Sequence, residues 1–106
     1  MQGSVKQALK ELQGFAKTFP IGRPSLLRLQ GLYARLTGNP AKAHRLWQTS
    51  LAEAERLSMP YERALTHYEI SRWVSGGDRQ KELNCALEIF QQLGASYDAA
   101  LVKDLL

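Results

Sequence analysis

Glycine and proline punctuate this sequence at intervals of a helix's length, and no other feature constrains the fold as much. Pro20 with the run Ile21-Gly22-Arg23-Pro24, then Gly38-Asn39-Pro40, Pro60, Gly76-Gly77 and Gly94 cut the chain into six segments. Proline cannot continue a helix, and glycine tolerates the left-handed conformation on which helices often end. Inside the segments apolar residues recur at spacings of three and four, the period of one helical face. Seventeen leucines and twelve alanines against three isoleucines, three valines and four threonines favour helix and leave little β-branched material for strands. The expectation is an all-α protein of about six helices in one domain, which a length of 106 residues suits.

The first helix should run from about residue 4 to 18, with Ser4-Val5-Lys6-Gln7 spaced as a capping box and Ala8, Leu9, Leu12, Phe15 and Ala16 on one face. The second starts near Pro24 or Ser25 and carries Leu26, Leu27, Leu29, Leu32, Tyr33 and Leu36, too many apolar positions for a single contact. Asn39 can cap a third helix from Pro40 to about Ser58, with Ala43, Leu46, Trp47, Ser50, Leu51 and Ala54 inward. Pro60 opens a fourth with Ala64, Leu65, Tyr68, Ile70, Trp73 and Val74, expected to last until Gly76-Gly77. Asp78 and Ser96 are the expected caps of the fifth and sixth helices. Connections of two to five residues place consecutive helices side by side and antiparallel, which permits a bundle or a solenoid.

Internal repetition favours the solenoid. Tyr61-Glu62-Arg63-Ala64-Leu65 returns 36 residues later as Tyr97-Asp98-Ala99-Ala100-Leu101, and the helices before them align with Ser50-Leu51 opposite Ala86-Leu87. A second alignment sets Gln30-Gly31 opposite Ile70-Ser71. In this respect the chain resembles the tetratricopeptide (TPR) repeat, in which a bulky residue, Leu-Gly and Tyr on one helix are followed by Ala and Phe on the next. Leu27, Gln30-Gly31 and Ala34, then Ala43 and Trp47, stand at the family spacing. The small residues Gly31, Ala43 and Ser71 would let helix backbones approach closely. A period of 36 to 40 residues exceeds the usual 34 and is similar to the tail repeats of large signalling ATPases, nucleotide cyclases and bacterial serine/threonine kinases.

That resemblance implies antiparallel helical hairpins stacked as a TPR-like solenoid, with residues 1–21 a half-repeat helix, 22–59 and 60–95 two repeats, and 96–106 a second half-repeat helix. Helix one aligns with the second helix of a repeat, Val5, Ala8, Leu9 and Leu12 standing opposite Leu83, Ala86, Leu87 and Phe90. Helix six aligns with a first helix, so each lacks a partner that a full repeat would supply, and self-association through these helices is one expectation. The family's groove positions fall on Arg28, Leu32 and Arg35 in helix two and on Tyr68, Arg72 and Ser75 in helix four. A groove of Arg, Leu and Tyr implies a protein or peptide partner, with acidic segments favoured. The Lys/Asn arrangement by which some members clamp a terminal carboxylate is missing, Arg28/Leu32 and Tyr68/Arg72 standing there, which speaks against a chaperone-tail adaptor.

No catalytic constellation is visible. His44 and His67 fall on different helices, Cys85 has no neighbouring His, and Gly76-Gly77 lacks the Lys and Ser/Thr of a phosphate loop. Cys85 and His67 read as packing residues, as do Trp47 and Trp73, and Tyr61 and Tyr97 recur at the repeat period. With one cysteine there is no internal disulfide, and neither metal nor cofactor is expected. The reading is a non-catalytic interaction or regulatory-sensor module of a larger signalling protein, cytoplasmic by default, since no apolar stretch reaches membrane-spanning length and residues 1–6 lack a signal-peptide core. The charge is asymmetric: residues 1–50 hold eight basic and one acidic residue, net +7, and residues 51–106 hold six and nine, net −3. This asymmetry and a pI near 9.5 make a nucleic-acid-associated helical regulatory domain the alternative, although the basic residues are scattered rather than gathered on one recognition helix.

Overall fold

A computed structural model describes the backbone of residues 2–106 and the side chains from Lys6 onward. Six helices follow one another, α1 (Gln2–Thr18), α2 (Arg23–Leu36), α3 (Pro40–Arg56), α4 (Pro60–Ser71), α5 (Gly76–Gln92) and α6 (Ser96–Leu105), and no strand occurs among the described residues. The chain divides into two units, Met1–Ser58 and Met59–Leu106, each with three helices.

Three of the turns share one design. Gly38, Ser58 and Gly94 adopt left-handed φ values of 86, 55 and 70°. Each is followed by a non-helical residue, Asn39, Met59 and Ala95 with ψ of 74, 72 and 75°, and then by the next helix. After α2 and α5 the turn also closes with paired backbone bonds, Asn39 N–H to Ala34 O with Gly38 N–H to Arg35 O, and Ala95 N–H to Phe90 O with Gly94 N–H to Gln91 O. These bonds satisfy the carbonyls that a helix end leaves open. Asn39 adds a true side-chain cap, its Oδ1 accepting from Lys42 N–H at 3.2 Å. Ser58 pays the left-handed cost that glycine avoids, so Ser58→Gly should stabilise the protein by about 1 kcal/mol, read as a higher denaturation midpoint.

The first unit is organised by Trp47, which is 3% exposed. Its Nε1 donates to Arg28 O at 3.2 Å, Ser50 Oγ donates to Pro24 O at 2.8 Å, and Arg23 Nε lies 3.4 Å from Glu53 Oε1. Partners on α3 advance as those on α2 retreat, so the two helices run in opposite directions. Trp47 lies directly against Gly31, where a Cβ would meet the indole at Nε1 and, at 2.5 Å, at Cδ1. The Arg56 guanidinium on Glu53 holds that carboxyl below its usual range against the opposing effect of burial, with Arg23 adding to the pull. A 3₁₀ turn over Pro20–Gly22 joins α1 to α2, and Gly22 tucks against the Phe15 ring.

The second unit has a contiguous core of Ala64, Leu83, Ala86, Ile89, Phe90 and Val102, with Leu65, Tyr68, Leu87, Ala95 and Ala99 packed around it. Tyr61 sets its ring edgewise on Phe90, centroids 5.6 Å apart, and donates its hydroxyl to Asp98 at 3.2 Å. One aromatic side chain therefore ties α4 to both α5 and α6.

Several helix limits differ from those expected. α1 already includes Gln2, and the side chains of Ser4 and Val5 in the anticipated capping box lie outside the described residues. α4 stops at Ser71, short of Trp73 and Val74. There Ser71 Oγ turns back onto Tyr68 O, and Arg79 Nη1 from α5 takes Ser71 O at 3.1 Å, so side chains satisfy carbonyls that a longer helix would have used. Asp78 lies in the first turn of α5, not before it, where its charge favours the positive end of the helix dipole. Ser96 is the first helical residue of α6, preceded by Ala95 without a side-chain cap.

Candidate functional site

Trp47 on Gly31 fixes the rotation of α2 and thereby sorts its residues by face. Pro24, Leu27, Gly31 and Ala34 are buried. Gln30, Tyr33, Ala34 and Thr37 join Leu9, Gln13, Asn39, Lys42 and Leu46 around a cavity of about 450 Å³ in the first unit. Arg28, Leu32 and Arg35, each half-buried, form a third stripe. With about 100° of rotation per residue, that stripe lies on the side of α2 opposite the cavity residues. The three residues named from sequence on this helix thus share one face, and the cavity lined by Gln30, Tyr33 and Thr37 lies on another.

Tyr68 and Arg72 belong to the second unit and have different surroundings. Tyr68 packs on the core of that unit. Arg72 is the first residue past α4, its Nη1 lying 3.3 Å from Glu69 Oε2 and its guanidinium carbon 5.9 Å from the centroid of the Trp73 ring. Glu69 is only 7% exposed, and its Oε2 also accepts from Trp73 Nε1 at 2.9 Å. A buried carboxylate needs such donors, because its desolvation is otherwise uncompensated. Trp73, expected in the apolar face of a longer helix, is instead a half-buried turn residue that serves this carboxylate.

His67, expected only to fill space, has a polar partner across the unit: Nδ1 lies 2.6 Å from Glu82 Oε2, the ring N–H donating to the carboxylate. Cys85 sits nearby, half-buried, on a pocket of about 130 Å³ with Arg63, His67 and Glu88. Burial pushes its thiol up from the usual range, Glu82 and Glu88 adding to the rise while Lys81 and Arg63 oppose it. A thiol held protonated in this way is a poor nucleophile. Among the described residues no group of three or more His, Cys, Asp and Glu is placed to hold a metal, and no helix is long and apolar enough to cross a membrane.

Sequence reading missed Glu69, Glu82 and Arg79 as partners, and it missed the cavity-lining set Gln30, Tyr33, Thr37, Asn39 and Lys42. In the sequence Gln30 stands out only through its place in the Gln30-Gly31 alignment, and Asn39 only as a cap. In comparisons with known proteins, no family model matches the sequence, no curated protein matches it, and no solved structure matches the fold.

Proposed function

We propose that this chain is a TPR-like helical-repeat module that binds a protein or peptide segment, without catalysis of its own, within a larger cytoplasmic signalling protein. Support for the repeat reading comes from the shared turn design and from α3 and α5, which have equal length and begin 36 residues apart. The observation that carries the binding reading is the stripe Arg28, Leu32 and Arg35 on one face of α2. Two guanidiniums two helical turns apart with a leucine between them suit an acidic segment bearing an aliphatic side chain, since arginine meets carboxylates in bidentate geometry. In the second unit Tyr68 takes a lesser part, because its ring packs on the core.

The test is titration of fluorescent peptides that alternate Glu and Leu, read by anisotropy at two salt concentrations. Binding should weaken as salt rises, and Arg28→Ala or Arg35→Ala should each weaken it about tenfold, the loss expected for a charge-assisted hydrogen bond. Helical circular dichroism of each variant confirms that it is folded. Unchanged affinity in both variants would overturn the assignment of the face. Steeply salt-dependent binding of duplex DNA in place of peptide would support the nucleic-acid alternative.

A further inference from the structure

The two faces of α4 and α6 that correspond at the 36-residue period meet different fates. In α4, Ala64 is fully buried, Leu65 and Tyr68 pack on the core, and Tyr61 lies on Phe90, so α5 covers this face. In α6 the same positions are Ala100, Leu101, Asp104 and Tyr97. Tyr97 is 76% exposed and Leu101 46%, and Ala100 and Asp104 are exposed as well. Val102, on the opposite side of α6, docks this helix onto the core of its own unit together with Ala99. A face built like the covered face of α4 thus stands open on α6, and what would cover it is a helix built like α5.

α1 is such a helix. Ala8, Leu9 and Leu12 carry the spacing of Ala86, Leu87 and Phe90. α1 packs against α2 as α5 packs against α6. Ala86 and Phe90 are buried beneath α4, whereas Ala8 and Leu12 are only half-buried. The charges are complementary too. α1 presents the exposed Lys6 and Lys10, and α6 places the exposed Asp104 where α4 has Tyr68. The same polarity holds across the sequence, net +7 over residues 1–50 and net −3 over residues 51–106.

We infer that the open face of α6, Tyr97, Ala100 and Leu101, is a docking surface for α1 of a second copy of this chain, giving head-to-tail association. The interface is heterologous, since the two copies contribute different surfaces, and it therefore propagates into chains or closes into rings rather than stopping at a symmetric pair. Opposite charges orient the approach and make association salt-dependent. The inference is independent of the proposed peptide face, because Arg28, Leu32 and Arg35 take no part in it.

Analytical ultracentrifugation over a wide concentration range tests it. The wild-type chain of 11.9 kDa should grow in mass with concentration beyond the dimer and return toward monomer at high salt. Leu101→Asp should block the α6 side and Ala8→Glu the α1 side, each raising the apparent dissociation constant about tenfold or more, with unchanged helical circular dichroism as the control. An equimolar mixture of the two variants should restore a 1:1 dimer and nothing larger, since it retains one intact pair of faces. Self-association of Ala8→Glu at wild-type affinity would overturn the inference in favour of an α6–α6 contact. A wild-type chain that stays monomeric at all concentrations, or a mixture that fails to pair, would overturn it outright.

Discussion

Replacing Gly31 by leucine is expected to destabilise the protein by about 3 kcal/mol, the upper part of the range for overpacking a filled site. The Trp47 ring occupies the volume that the new side chain needs, and it has little freedom to withdraw: it is 3% exposed and its indole N–H is bonded to Arg28 O. For a chain of this length the melting temperature should fall by roughly 10 °C or more. Alanine at the same position separates two opposing effects. Its helix propensity is better than glycine's by about 1 kcal/mol, but its Cβ alone already meets the indole. Gly31→Ala should therefore destabilise the wild-type chain and stabilise a Trp47→Leu background, where the ring is gone. A change of sign between the two backgrounds, measured by chemical denaturation, would show that the contact rather than the backbone sets the requirement for glycine.

Residues whose constraint is local were legible in the sequence. Gly38 and Gly94 mark left-handed turns because glycine reaches them without penalty, Asn39-Pro40 marks a helix start through capping chemistry, and Ala43 and Trp47 follow from spacing. Ser58 adopts the same left-handed conformation with no signal of its own, and only the following Pro60 gives the turn away. Glu69 was not legible, since a glutamate three and four residues ahead of Arg72 and Trp73 reads as an ordinary solvated helix face. Its burial depends on the early end of α4, where Ser71 and Arg79 take over the last carbonyls. His67 with Glu82 and the nine residues around the first unit's cavity come from different helices, and spacing along one helix contains no information about such pairs. Arg28, Leu32 and Arg35 share a face because helical geometry requires it. That the cavity lies on the opposite side of α2 depends on how α1 and α3 flank that helix, which sequence periodicity leaves open.

Phe90→Ala should have the largest effect in the second unit, about 3 to 5 kcal/mol for a fully buried aromatic truncated to a methyl group. Phe90 is 2% exposed among Ala64, Leu83, Ala86, Ile89 and Val102. Three of these neighbours are alanine or valine, side chains too short to collapse into the space, which keeps the cavity cost near its full value. The substitution also removes the ring on which Tyr61 rests edgewise, an arrangement that adds about 0.5 to 1.5 kcal/mol beyond buried area. Tyr61→Phe keeps the ring pair and removes the hydroxyl that bonds Asp98, so its cost should be about 1 kcal/mol. The two variants distinguish what holds α6 in place. If apolar packing through Phe90 and Val102 dominates, Phe90→Ala should lower the denaturation midpoint far more than Tyr61→Phe, and it should also abolish concentration-dependent association, because Tyr97 and Leu101 are presented to a second copy only while α6 is docked. Equal losses from the two would instead place the main restraint on α6 in the Tyr61–Asp98 bond.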